Sequence, residues 1–190
     1  MAEEMQVLEQ RKAELEKQYQ VQRSKVEALR ARTAALPVEL VKPELDAKEQ
    51  KRLSDEWKAL KGDTDLAVLM LEALGRQLAD ARRAILQAEL DSAEAKYQAV
   101  CSTHGQAKEA YGQLLVELRA FKNSLFRSRD RETQQKVVEL REKEGRAKGV
   151  LEVETRAKEQ ALYVRNAAHG RLQQFDREHA QRRRLESGRR

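Results

Sequence analysis

The side chains able to do chemistry are few and widely spaced. The histidines are His104, His169 and His179. His169 and His179 are ten residues apart, not the three or four that let one helix offer two imidazoles to a metal. The single cysteine, Cys101, excludes an intrachain disulfide framework and suits a reducing compartment. It follows Val100 and reads as a small, partly buried apolar residue, with disulfide-linked dimerisation as the functional alternative. Asp63 and Asp65 lack the ligand series and closing Glu of a calcium loop. There is no phosphate-binding glycine loop, zinc-type cysteine pair or nucleophile elbow. The expectation is a protein that is not an enzyme and carries no cofactor or metal.

What the chain offers instead is charge. Its net charge is +6, unevenly distributed. Residues 1–118 sum to −3 and residues 119–190 to +9. Two basic places stand out. The first surrounds Arg119 and Lys122 and continues through Phe121, Leu125, Phe126, Arg127, Arg129 and Arg131. The second is the carboxyl-terminal run of Arg177, Arg182, Arg183, Arg184, Arg189 and Arg190. The last 20 residues contain no lysine. Arginine grips carboxylates and phosphates through two parallel N–H bonds, which lysine cannot do. Both places are expected to contact a partner: the tail an acidic protein first and nucleic acid second, against a solvated terminus, and the tip a protein, against a loop whose Phe residues close the end of the bundle. Phe175 is the only aromatic near the tail, so stacking on single-stranded bases has little support. Trp57, the sole tryptophan, reads as a core anchor or as an exposed partner contact.

Composition fixes the class of scaffold that positions these groups. Ala, Glu, Lys, Arg and Leu make up 112 of the 190 residues, the signature of long helices and coiled coils. Two prolines and eight aromatics exclude a β-sandwich, and no apolar strand runs alternate with helices. No stretch approaches 18 consecutive apolar residues, so no transmembrane helix is expected. The acidic start, Met1-Ala2-Glu3-Glu4, has no apolar region of a secretory signal, which points to a cytoplasmic location.

The apolar pattern divides the chain. From Glu3 to Leu36 a heptad places Met5, Lys12, Tyr19, Val26 and Thr33 in one column. Leu8, Leu15, Gln22, Leu29 and Leu36 form the other. Pro37 and Pro43 then predict a connector over Leu36–Glu44. A short helix from Glu44 to Lys61 follows, with Leu45, Leu53, Trp57 and Leu60 on its apolar face. Gly62–Asp65 reads as a tight turn, with Gly62 as a cap. A third segment runs from Leu66 to about Arg127. Its later part has Leu90, Tyr97, His104, Tyr111, Leu118 and Leu125 in one column. Leu86, Ala93, Val100, Ala107, Leu114 and Phe121 form the other. The earlier and later registers do not join in phase near residues 85–90. A reversal is expected near 123–131, and a last helix from Arg131 to about Leu185 has a looser stripe.

These segments predict an all-α chain, an elongated antiparallel helical hairpin or coiled coil. The favoured form is a three-stranded rod with a proline-interrupted amino-terminal arm. The expected divisions are that arm (1–61), a long hairpin (62–187) and a basic end (188–190). In architecture the chain resembles the coiled-coil stalk proteins of type III secretion and flagellar export ATPases. It also resembles phage scaffolding proteins. No residue motif accompanies either resemblance, and no residue role is carried over. The expected function is that of a scaffold, adaptor or stalk engaging protein partners through tip and tail, with a homo-oligomer among the possible assemblies. A nucleic-acid-associated coiled coil and a regulator of a secretion-type ATPase are the alternatives.

Overall fold

The computed structural model describes residues 2–42, 44–125 and 131–187; the side chains of residues 2, 124, 125, 186 and 187 are not described. Among the described residues the chain is all-α, with three helices and no strand. They are α1 (Ala2–Leu40), α2 (Ala47–Leu125) and α3 (Arg131–Ser187). No described helix is long and apolar enough to cross a membrane.

The chain divides into two compact units, Met1–Ile85 and Leu86–Arg190. The boundary falls where the two apolar registers fail to join. In the first unit α1 pairs with residues 47–85 of α2. Glu16 meets Arg82, Tyr19 approaches Gly75, Gln22 meets Ala67 and Arg32 meets Glu56. Position numbers on α2 fall as those on α1 rise, so the pair is antiparallel. In the second unit residues 86–125 pair with α3 in the same sense: Glu89 with Arg171, Glu94 with Arg165, Thr103 with Glu154. Each unit, taken by itself, is a pair of helical stretches.

All ten heptad positions read in α1 are buried or half-buried, including Lys12 and Gln22. Leu15, Val26 and Leu36 are the most enclosed, and Leu36 is fully buried. Opposite them α2 presents Leu53, Trp57, Leu60, Thr64, Ala67, Leu71, Leu74, Leu78, Ala81 and Ile85, all buried or half-buried. Their spacing alternates four and three without a gap. A 3.5-residue repeat keeps such a stripe on one partner.

That unbroken stripe corrects two expectations. The turn at Gly62–Asp65 and the separate helix ending at Lys61 are absent, because α2 runs straight through. A glycine cap needs positive φ, and no described glycine has it. Interior glycine costs a helix about 1 kcal/mol. The seam residues on either side of Gly62 are worth more, since burying each large apolar side chain yields about 1.5–3 kcal/mol. Thr64 fits the seam by turning its hydroxyl onto the Leu60 carbonyl at 2.6 Å. The connector is also shorter than Leu36–Glu44. α1 continues to Leu40 with Pro37 inside its last turn, where the missing N–H frees only the Thr33 carbonyl from its helical bond. Pro43 lies outside the described residues.

α2 starts later than Glu44, and the reason is local. The Glu49 N–H donates to Asp46 Oδ1 at 2.7 Å, and the Gln50 N–H donates to the Asp46 carbonyl at 3.0 Å. Asp46 is therefore the N-cap, satisfying a donor that the first turn cannot pair internally.

In the second unit Leu90, Ala93, Ala168 and Leu172 form a buried cluster with Leu86 packed against it. The later heptad columns of α2 are buried or half-buried through Phe121. α3 faces them with a stripe of Thr133, Val137, Leu140, Glu144, Ala147, Leu151, Glu154, Lys158, Ala161, Arg165, Ala168, Leu172 and Phe175. The stripe keeps strict four-three spacing, yet several of its positions are charged. That is why it reads as loose in sequence. α2 ends at Leu125 and α3 begins at Arg131, so the link between them, 126–130, lies outside the described residues.

Candidate interaction surfaces

Some of the polar groups in each unit pair across the facing helices, and others pair within one helix. In the first unit Arg32 donates from Nε and Nη2 to Glu56 Oε1 at 3.1 and 2.8 Å, and from Nη1 to Glu39 Oε1 at 3.0 Å. The Glu56 bond, with the Glu39 charge behind it, holds the guanidinium above its ordinary pKa. Arg82 Nη2 donates to Glu16 Oε1 at 2.9 Å, with Lys12 Nζ at 3.8 Å from the same oxygen. The Arg82 hydrogen bond leads in lowering the Glu16 carboxyl below the usual glutamate range. The Thr33 and Thr64 hydroxyl oxygens face each other at 3.3 Å across the seam.

In the second unit the Arg165 guanidinium lies over the Tyr97 ring, 5.3 Å from its centre, with Nε 3.8 Å from Glu94. A cation over a phenol face is stabilised by the ring quadrupole. A hydrogen bond with Cys101 raises the Tyr97 phenol above its ordinary pKa, and the Arg165 charge opposes this more weakly. Thr103 donates to Glu154 Oε2 at 2.7 Å. Arg171 Nη2 is 3.0 Å from Glu89 Oε2, off the line of a hydrogen bond to that enclosed oxygen. Glu154 and Arg165 escape a search for apolar periodicity, but the spacing 147, 151, 154, 158, 161, 165 puts them on the seam.

No cluster of three or more His, Cys, Asp or Glu among the described residues is placed to hold a metal ion. His104 is half-buried on the α2 seam, His169 is exposed, and His179 stacks on Phe175 with ring centres 5.9 Å apart. Cys101 is a free, half-buried thiol. Trp57 is a half-buried seam residue whose ring carries Lys61 Nζ at 5.6 Å.

The basic residues are distributed as follows. Arg119 and Lys122 are exposed near the end of α2, and Arg131 is exposed at the start of α3. Phe121 is half-buried and continues the seam, so its ring packs between helices more than it faces solvent. Leu125 is the last residue of α2; Phe126, Arg127 and Arg129 lie outside the described residues. In the tail Arg177, Arg182, Arg183 and Arg184 are exposed on α3, which continues to Ser187. They therefore stand on a helix surface. Arg189 and Arg190 lie outside the described residues.

Exposed apolar groups supply the other surface. Leu66, Leu69 and Met70 on α2 are 59%, 58% and 50% exposed. Their three- and four-residue spacing puts them on one face, away from the Ala67–Leu71–Leu74 seam. Val38 and Val41 line a shallow apolar hollow with Pro37 and Lys42 beside the end of α1.

Comparison with known proteins gives no relative: no family model, no curated protein and no solved structure matches the chain.

Proposed function

We propose that this chain is a non-enzymatic structural or interaction protein. It works as a coiled-coil rod, a scaffold, adaptor or stalk within a larger assembly. Its contacts are the basic tip around Arg119, Lys122 and Arg131 and the arginines of the α3 tail. The observation that carries the reading is the division of labour along each helix. The heptad positions are turned to the partner helix, and most of the charged groups, including Arg177, Arg182 and Arg183, stand on the outside. A helix pair of this kind holds its ends apart and offers surfaces rather than a concave site.

Fluorescence anisotropy with DNA and RNA at low and physiological salt separates this reading from the nucleic-acid alternative. The comparison is between the full chain and a variant with Arg177, Arg182, Arg183 and Arg184 changed to Glu. A protein adaptor gives weak binding that the reversal barely alters. Five phosphate contacts would give a log–log salt slope of about −4.5, abolished by the reversal. That outcome would replace the proposal with the nucleic-acid reading.

A further inference from the structure

The first unit carries an apolar face that no described helix of that unit covers, and the charges set within its length are acidic, with Lys61 and Arg76 at its two ends. Leu66, Leu69 and Met70 stand out from α2, with Ala59, Gly62 and Ala73 exposed along the same side. Between Gly62 and Gly75 the charged residues are Asp63, Asp65 and Glu72, all acidic, with no lysine or arginine. Three large apolar side chains exposed together on a helix mark a surface that gains by being covered. The acidic flank selects what covers it: a short helical segment with an apolar knob among positive charges.

The same sequence contains such a segment. α3 is helical to Ser187, and residues 177–187 carry four arginines, Arg177, Arg182, Arg183 and Arg184, against Glu178 and Glu186. Leu185 is 67% exposed among them. Arg182 and Leu185 share a helix face at i,i+3. The segment has 11 residues and the acidic apolar face from Gly62 to Ala73 has 12. At 1.5 Å per residue both extend about 17 Å, so one can lie along the other. Val150, Val153 and Val164 form another exposed apolar run on α3, but charges of both signs lie within its length and select no occupant.

We propose that the Leu66–Leu69–Met70 face of α2 docks the arginine-rich end of α3 from a second copy of this chain. Asp63 and Asp65 meet the tail arginines, and Leu185 packs on the leucines. The contact joins two different surfaces, so copies associate either as a reciprocal pair or in an extending series. This inference rests on the reading of the tail as a protein-contact segment.

The test is sedimentation velocity across the micromolar range on four full-length proteins. These are the unmodified chain, Asp63→Lys/Asp65→Lys, Arg182→Glu/Arg183→Glu, and the four substitutions combined. All four sites are exposed, and circular dichroism checks that helix content is unchanged. The unmodified chain is expected to associate reversibly and less so in high salt. Either single-sided reversal weakens self-affinity at least about tenfold, and the combined variant regains it. A chain that stays monomeric, an association indifferent to the reversals, or a combined variant that fails to recover each overturns the proposal. A monomeric chain whose tail still captures another protein removes only the second copy as occupant. A monomeric chain whose tail captures nothing removes the tail reading as well.

Discussion

Gln22 on α1 donates its Nε2 hydrogen to the Ala67 carbonyl on α2 at 3.0 Å, so a polar seam residue is held by the backbone of the facing helix. The Ala67 oxygen has a second lone pair for its own helical bond. Replacing Gln22 with Leu removes the bond and leaves no unpaired acceptor. A polar seam residue fixes register at a cost in stability. Gln22→Leu is expected to raise the stability of the first unit by about 1 kcal/mol, and Gln22→Ala to lower it by a similar amount. Urea unfolding followed by circular dichroism reads both.

Gly62 sits inside α2 with nothing within 4 Å of the place a Cβ would occupy. Gly62→Ala is expected to stabilise the chain by about 1 kcal/mol, because it restores helix propensity without a clash. If a turn with positive φ occupied that position, the same substitution would destabilise it. Thermal melting of the two proteins decides the sign.

Leu36 is fully buried and Leu172 is 7% exposed, in different units. Leu36→Ala is expected to cost about 2–4 kcal/mol by loss of apolar burial and the cavity left behind. Its effect should concentrate in the first unit, and that of Leu172→Ala in the second. Hydrogen exchange tests this: Leu36→Ala should speed exchange over α1 and residues 47–85 while the Leu90–Leu172 cluster stays protected.

Asp46 caps α2 through the Glu49 N–H. Asp46→Ala is expected to cost about 1 kcal/mol and to fray the first turn, whereas Asp46→Asn should cost little. Amide exchange at residues 47–50 reports the difference.

The Glu16 carboxyl is held below its ordinary value chiefly by the Arg82 hydrogen bond. A depressed carboxyl contributes stability that is present above the unfolded glutamate value and is lost as pH falls through the lower folded value. Acidification through that window should lower the melting temperature, and Glu16→Gln should flatten the response. Both partners are exposed, so added salt should shrink the difference.

Much of this fold is legible in the residues, and the exceptions share a cause. Met5 through Leu36 and Leu86 through Phe121 announce their faces because apolar side chains occupy the heptad columns. At Gly62–Asp65 the local signals, a glycine and two aspartates, favour a turn. They lose to a long-range term, the continuity of the seam from Leu53 to Ile85, which is visible only once Ala67 and Thr64 count as seam residues. On α3 the period is equally strict, but Glu144, Glu154, Lys158 and Arg165 carry it, and a hydrophobic reading passes over charged residues that lay their stems along a partner helix. Asp46 was legible as Asp-Ala-Lys-Glu, a capping sequence, and is masked by the two prolines that draw the eye to the connector. For the interaction surfaces, sequence gives the arginines and their sign. Only the structure adds that Arg177, Arg182 and Arg183 stand exposed on the surface of a helix, whereas the place of Phe121 in the seam is legible from its heptad column.

The central claim is that the two basic places, one where α2 gives way to α3 and one in the α3 tail, are protein contacts. Its most direct test is affinity capture from the native cell with three full-length baits after nuclease treatment. The baits are the unmodified chain, one with Arg119, Lys122 and Arg131 changed to Glu, and one with Arg177, Arg182, Arg183 and Arg184 changed to Glu. The expected result is a discrete set of proteins held by the unmodified bait and lost from one reversed bait. The claim is contradicted if both reversed baits retain every captured protein, or if nuclease releases the whole set.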